Sequence, residues 1–329
     1  MRKLASVRTV HDLTPIDGAD NIEIARIDGW NVIVQKGLYN VGDSVVYFEI
    51  DSVLPIKDEY EFLRPRCYVA SPTEGFRIKT MKMRGVVSQG LVMPYDGHEP
   101  IGTDLTESLG VVKYDPPIPV GTNIVGHWPS FISKTDQERV QNLKWIPRET
   151  YEVTIKLDGT SVTIFYNDGR VGICSRNYEI AQEGVYWNAA IEIVEALKIS
   201  GRNIAVQGEL MGPGIQGNPL GLAYHTIFVF DVWDIAEQRY LYPDERAAAI
   251  IELDGLVAPR GDTHMILEAP HLMDHSIDEA LTDQQIVDGL LAMADIKIGG
   301  KPIEGVVFKS YDSSTTFKVI NNRYLLKEK

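Results

Sequence analysis

Apolar residues in this chain come in short, alternating bursts, and none is long enough to cross a membrane as a helix. In residues 1–126 the runs IEIARI, NVIVQK, SVVYFEI, FRIKTMKM and QGLVMPY are rich in β-branched residues or alternate in polarity. DG, KG, VGD and RGV turn signals separate them. This spacing predicts many short strands joined by tight turns, and a small closed barrel is the arrangement that leaves few unpaired edges.

From residue 151 the grain changes to mixed helix and strand. YEVTIKL, SVTIFYN, RVGICSR, NIAVQGELMG, TIFVFDVWD, IEGVVFKS and TTFKVIN read as strands. One amphipathic helix is expected over Glu183–Ile199, with Val185, Ala189, Ile193 and Leu197 on one face. A second is expected over Asp244–Leu253, and one or two more between Ser276 and Ala294. Residues 127–150 read as a junction, with Ser133 or Thr135 capping a short helix over Asp136–Leu143. The expected fold class is α+β. An OB-fold barrel is expected over 1–126, the junction over 127–150, and a domain of antiparallel sheets and flanking helices over 151–329.

The 329 residues suit two domains. Two cysteines, Cys67 and Cys174, supply neither a disulfide framework nor zinc-site spacing. With no signal-peptide pattern at the N-terminus, the expected setting is cytoplasmic and reducing, with no membrane partner. The net charge of −14 speaks against a general nucleic-acid binder. Its distribution qualifies that: Arg64, Arg66, Arg77, Lys79, Lys82 and Arg84 cluster with Glu74 as their only acid, interleaved with Tyr68 and Phe76. This segment is either a solvated hairpin or a surface that tracks a phosphate backbone.

Four segments carry chemistry. Lys156-Leu157-Asp158-Gly159-Thr160-Ser161 joins two strands, so its lysine sits at a strand end beside a glycine turn. Gln207-Gly208-Glu209-Leu210-Met211-Gly212, Glu304-Gly305-Val306-Val307-Phe308-Lys309 and Phe317-Lys318-Val319-Ile320 each set a charge on a strand otherwise fit for burial. Such charges are costly unless paired or functional, and a structural ion pair between Glu304 and Lys318 is the plain alternative.

The ordered set resembles the covalent nucleotidyltransferases, the superfamily of ligases and capping enzymes. Ser161, where DNA ligases carry an arginine, and Ser175-Arg176-Asn177 are similar to RNA ligases. Ile227-Phe228-Val229-Phe230-Asp231 looks like the segment whose aromatic stacks on adenine. The barrel precedes the catalytic half, and the junction Lys134-Thr135-Asp136-Gln137-Glu138-Arg139-Val140-Gln141-Asn142 is present. Both resemble the Deinococcus-type RNA ligases, RNA ligase family 5. Gly18–Ile22, Val41-Gly42-Asp43 and Lys82–Gly90 are similar to the tRNA-binding type of OB module. Ile320 departs from the pattern, since many relatives place a second lysine there; Lys309 or Lys327 is expected to make up the charge.

The resemblance implies that Lys156 attacks the α-phosphate of ATP to give lysyl-AMP. AMP then passes to the 5′-phosphate of a nicked RNA duplex or RNA–DNA hybrid, and the 3′-hydroxyl seals the nick. Glu304 and Glu209 would hold Mg²⁺ or Mn²⁺, Glu209 would also bind ribose, and Phe230 would stack on adenine. Arg176 would contact phosphate, Lys309 and Lys318 would clamp the α-phosphate, Asp158 and Gly159 would shape the turn, and Arg139 would assist from the junction. A free lysine has a pKa of about 10.4, so roughly one in a few thousand is nucleophilic at neutral pH. Lys309, Lys318 and the metal are therefore expected to favour the neutral amine. A monomer is expected. The rivals are a DNA ligase, a GTP-using capping enzyme, and a catalytically inactive RNA-binding protein.

Overall fold

The computed structural model describes residues 3–71, 73–114, 123–257 and 265–327. Among the described residues, the N-terminal half is built from three small antiparallel sheets around one core and a two-stranded hairpin of Met81–Met83 with Val86–Ser88. Ala5–Thr9, Ser44–Phe48 and Leu91–Pro94 form the first, and Asp12–Pro15, Ile22–Ile27 and Trp30–Gln35 the second. The third contains Val112–Lys113, Ser52–Leu54, Gly75–Arg77 and Tyr68–Val69. Strict alternation along Ile22–Ile27 and Trp30–Gln35 sends Ala25, Ile27, Trp30 and Val32 inward to meet Val45, Phe48 and Phe76. FRIKTMKM is two strands, Gly75–Arg77 and Met81–Met83, separated by a bend.

The C-terminal half contains two larger sheets. A five-stranded one runs in the order Glu138–Arg139, Thr316–Ile320, Gly305–Ser310, Thr150–Lys156, His271–Ser276. Its outer face packs Val153, Val306, Phe308, Phe317 and Val319 against the helix Asp283–Met293, which a Thr282–Gln285 capping box starts. The eight-stranded sheet centres on Thr160–Asn167, Ile204–Met211 and Thr226–Asp234. Its outer face, including Val162, Ile164, Val206 and Val229, is covered by the helices Ile191–Ser200 and Pro243–Val257. Each sheet therefore buries one apolar face under helices and turns a polar face toward the other.

Several expectations are corrected. The helix over Asp136–Leu143 does not form. Glu138 and Arg139 pair in parallel with Phe317 and Lys318, and only Val140–Asn142 makes a 3₁₀ turn. Tertiary partners override the local helical pattern: Trp30 Nε1 donates to Asn142 Oδ1 at 2.6 Å, and Asn142 Nδ2 donates to Glu49 and Glu138. The helix over Glu183–Ile199 is two, Gly184–Ala189 and Ile191–Ser200, and Val185 is exposed while Ile193 and Leu197 are buried. Ser276 ends a strand, and the region to Ala294 holds one helix, Asp283–Met293, within the one or two expected. Ile124–His127 pairs with Tyr178–Ile180, so the last residues assigned to the barrel join the eight-stranded sheet.

The halves meet at the junction. Gly29 lies against Gln141 so closely that a Cβ there would fall 2.6 Å from its Cα. Gly29 N donates to Gln141 O, and Arg139 approaches Asp51 at 3.8 Å.

Candidate active site

The polar face of the five-stranded sheet is set by its register. Lys156 pairs with Gly305 and Gly305 with Ile320; Thr154 with Val307 and Val307 with Lys318; Glu152 with Lys309 and Lys309 with Thr316. Cross-strand partners share a face, so Lys156, Lys309 and Lys318 all look into the space between the sheets. Lys156 and Lys309 nevertheless lie at opposite ends of it, about four residues or roughly 13 Å apart along the strands.

At the Lys156 end the neighbours are acids. Lys156 Nζ donates to Glu304 Oε2 at 2.7 Å. Glu209 comes from the facing sheet and accepts from Gly159 N at 3.0 Å. Gly159 has no room for a side chain: a Cβ would sit 2.5 Å from Leu210 O and 2.9 Å from Glu209 Cγ. That close approach brings the lysine turn onto the Glu209 strand. Burial alone would lower the Lys156 pKa, but Glu304, Glu209 and Asp158 together raise it. Burial, with Glu304 adding to it, pushes Glu209 up to about 7. Burial also raises Asp158. The register places acids beside Lys156 and sends Lys309 to the other end of the face.

Lys309 is 7% exposed, and its ammonium is held by Asp231 Oδ1 at 2.6 Å and by Phe230 O. Burial lowers its pKa against the pull of Asp231. Behind it, Arg246 Nη2 meets Glu152 Oε1 at 2.5 Å and Arg246 Nε meets Glu268 at 3.2 Å. Phe230 is the bulged residue of its strand: Asp231 pairs with Gln207, and Val229 with Gly208. The register sets Phe228, not Phe230, opposite Glu209. Both rings are half-buried.

Lys318 and Arg176 converge on Asp136, at 4.0 and 3.5 Å, and Lys113 from the N-terminal half reaches the same carboxylate at 2.7 Å. Burial works against the Asp136 charge, yet Lys113, Lys318 and Arg176 hold its carboxyl well below the usual range. Arg139 is buried beside Lys318 in register, its guanidinium over the Trp30 ring. Ile320 is 4% exposed, so the position where relatives place lysine is filled by an apolar side chain opposite Gly305. Lys327 is exposed just after the short helix Asn322–Leu325.

Sequence reasoning did not single out Asp231, Asp136, Lys113, Glu152 or Arg246. Asp231 carried a visible signal, a lone acid within an apolar strand. Asp136 was hidden inside a segment that reads as helical, and nothing local marks Arg246, whose partners are distant in the chain.

The oxygen donors at Lys156 fit a hard divalent cation. Glu304, Glu209 and Asp158 outnumber the one ammonium, and the raised pKa of Glu209 reflects its burial first and the neighbouring Glu304 after it. Among the described residues no group of three or more His, Cys, Asp or Glu side chains is arranged to hold a metal by itself. A cation there would complete its shell with water and phosphate oxygens, as Mg²⁺ and Mn²⁺ commonly do.

A barrel followed by a two-sheet cleft, with a lysine turn at its mouth, defines a two-domain enzyme of the ligase type. An OB-fold domain family matches residues 4–95, and the RNA ligase family matches residues 149–324. The chain belongs to the RNA ligase family. Comparison with curated proteins gives no match. Among solved structures, the Naegleria gruberi RNA ligase with pyrophosphate is 38% identical, with 99% of each chain covered and a TM-score of 0.89. A lysine-to-methionine variant of that ligase with AMP and Mn is 37% identical over 100% of each chain, with a TM-score of 0.90. A lysine-to-alanine variant with ATP and Mn is 37% identical over 99% of each chain, with a TM-score of 0.89. The chain is thus an RNA ligase with an N-terminal OB-fold domain.

Proposed function

We propose that this RNA ligase uses ATP and a divalent cation to seal 3′-hydroxyl/5′-phosphate nicks in RNA-containing duplexes, through AMP carried covalently on Lys156. The observation that carries this reading is the Lys156 ammonium, fixed at the turn between the sheets and hydrogen-bonded to Glu304 with Glu209 and Asp158 around it. In this reading neutral Nζ attacks the α-phosphorus, a P–N bond forms, and the bond to the pyrophosphate leaving group breaks. The 5′-phosphate oxygen of the RNA then displaces lysine, and the 3′-oxygen displaces AMP. The relatives with ATP, AMP and Mn support nucleotide and metal as partners.

Glu304 and Glu209 are the residues that would hold Mg²⁺ or Mn²⁺, which when bound supplies charge that offsets the acids around Lys156 and the phosphates. Asp158 and Gly159 fix the turn. Phe230, or Phe228 by its place opposite Glu209, offers a ring to adenine. Arg176 and Lys318, with Arg139 beside them, provide cations for phosphate. Lys309 acts from behind, because its ammonium is committed to Asp231. Residues 1–126, apart from 124–126 that join the eight-stranded sheet, serve as the OB-fold unit that grips the duplex, 127–150 as the junction and 151–329 as the adenylyltransferase domain. The domain order supports the Deinococcus-type assignment. Two buried, unpaired cysteines fit a reducing, cytoplasmic setting, and no helix among the described residues is long and apolar enough to cross a membrane. We take the monomer as the working unit.

The test is incubation with labelled ATP or GTP and Mn²⁺. Label retained on the wild-type chain from ATP, and absent from Lys156→Ala, is the expected result. Transfer from GTP alone would remove the ligase mechanism in favour of capping chemistry. Nicks differing only in the 3′ terminal sugar are expected to seal when that sugar is ribose, since 2′-hydroxyls and A-form shape distinguish RNA.

A further inference from the structure

The strands Ile204–Met211 and Thr226–Asp234 are antiparallel neighbours, yet the connection between them runs from residue 212 to residue 225. Such neighbours are ordinarily joined by about two to five residues, and loops beyond roughly 12 residues with no helix or strand of their own usually carry function. The register fixes where this one emerges. Leu210 pairs with Thr160 on one side and Ile227 on the other, and Met211 pairs with Thr226. Thr160 follows Gly159, where a Cβ would lie 2.5 Å from Leu210 O and 3.1 Å from Met211 Cγ. The loop therefore leaves the sheet at the Lys156 end of the cleft, beside the lysine turn.

Its own contacts hold it in shape. Ile215 packs against the outer core of the eight-stranded sheet. Asn218 Nδ2 donates to Leu222 O at 2.9 Å, and Asn218 Oδ1 accepts from Leu222 N at 3.0 Å, which closes the tip. His225 Nε2 donates to Pro213 O at 2.8 Å, and Gly212 lets the two ends approach, since a Cβ there would fall 2.9 Å from His225 Cα. On this pinned frame Tyr224 is 82% exposed, more than any other large apolar or aromatic side chain among the described residues, and Leu220 is exposed with it. Residues 212–225 contain no Lys, Arg, Asp or Glu. In a chain of net charge −14, a polyanion meets no local repulsion at such a loop, and attraction to it must come from something other than charge. Stacking is that interaction, because every nucleobase has a π face and the ring needs no charge to receive it.

We propose that Tyr224 is a stacking platform for a nucleobase of the RNA beside the nick. The ends to be joined must reach the adenylate carried at the Lys156 end of the cleft, and the loop stands at that end. The ring takes the face of a base next to the break and so orders an end that has lost the continuity of its strand. This rests on the nick-sealing reading, and it concerns the grip on RNA rather than the chemistry at the lysine.

The experiment compares full-length wild type with Tyr224→Phe, Tyr224→Leu and Tyr224→Ala. Phenylalanine keeps the π face, leucine keeps apolar area without it, and alanine removes both. Lysyl-AMP formation from ATP without RNA is expected to stay within about twofold of wild type in all three, as a side chain this exposed contributes little to the fold. Sealing is measured over a range of nicked-duplex concentrations, with 2-aminopurine beside the nick as a fluorescent reporter of stacking. KM for the duplex is expected to rise about tenfold in the alanine and leucine variants and to stay near wild type in the phenylalanine variant. The reporter is expected to be quenched on binding wild type and Tyr224→Phe, and not Tyr224→Ala. The slope of log K against log salt should be the same in all four proteins, since no phosphate contact is lost. A wild-type KM in Tyr224→Ala overturns the proposal, as does a leucine variant equal to the phenylalanine one, a loss already present in lysine adenylylation, or a loss that varies with enzyme concentration, the mark of a second copy seated on the loop. A wild type that forms lysyl-AMP but seals no nick removes the nick-sealing reading and the platform together, whereas a wild type that seals alongside an equally active alanine variant removes the platform alone.

Discussion

Two carboxylates decide how the charge at Lys156 is managed. Glu209 has its folded-state pKa pushed up to about 7, above the ordinary 4.5. For an acid shifted upward, the folded state binds the proton more tightly than the unfolded chain. Its stabilising contribution is thus fully present below about 4.5 and is lost as pH rises through about 7. In chelator, Tm is expected to fall between about pH 5 and pH 8, and Glu209→Gln to flatten that part of the profile. An unchanged slope in the variant would show that another group dominates. Glu304 acts on the lysine directly. Removing its charge should make the Lys156 amine easier to deprotonate, measured as greater reactivity toward an acylating reagent near neutral pH. Glu304→Gln is nonetheless expected to slow AMP transfer by about a hundredfold, because the ligand proposed for the cation is removed. Should the variant adenylylate faster than wild type, Glu304 only restrains the lysine.

Strands place these groups, and the tight junctions between strands are where small changes act. Gly159→Ala would put a methyl 2.5 Å from Leu210 O, a backbone atom that cannot swing away. The lysine turn must lift from the Glu209 strand, so AMP transfer is expected to drop at least about tenfold, with about 1–3 kcal/mol less stability. Chemical denaturation and the adduct assay, run on the same preparation, check both. The motif strands were legible because charges interrupt their apolar pattern, at a strand end for Lys156 and Glu304 and mid-strand for Lys318. The junction was not. Asp136–Leu143 carries early acids and a capping residue, and only the distant partners Trp30, Glu49 and Phe317 convert it to an extended bridge. His271–Ser276 is a strand without an apolar pattern, since it sits at a sheet edge with most of its side chains exposed. Phe230 was picked from the resemblance of its segment to the RNA ligases, but the bulge that resets the faces of that strand has no local sign.

At the scale of the whole molecule, an acidic chain of net charge −14 must bring a polyanion to its cleft. Long-range repulsion leaves attraction to local patches, effective within a Debye length of about 8 Å at physiological salt. The basic segment of the OB half is such a patch, yet its members are not equivalent. Arg64 is clamped by Glu61 through two nitrogens, at 2.6 and 2.7 Å, and lies over Tyr68 and Phe76. Arg77 pairs with Asp51 at 2.7 Å and stacks on Tyr114. Arg66, Lys79, Lys82 and Arg84 are exposed, and among the described residues Arg66, Lys79 and Arg84 make no ion pair. A cation already bound to a carboxylate releases little counterion when phosphate arrives, whereas a solvated one does so in full. Replacing Arg66, Lys79 and Arg84 by alanine is therefore expected to weaken binding of nicked RNA duplex. The slope of log K against log salt should fall by about one for each phosphate that is no longer neutralised. Arg77→Ala is expected to leave that slope nearly unchanged and to lower Tm instead. Binding isotherms at several salt concentrations separate the two groups. Equal slopes across all four substitutions would place the RNA on another face of the barrel.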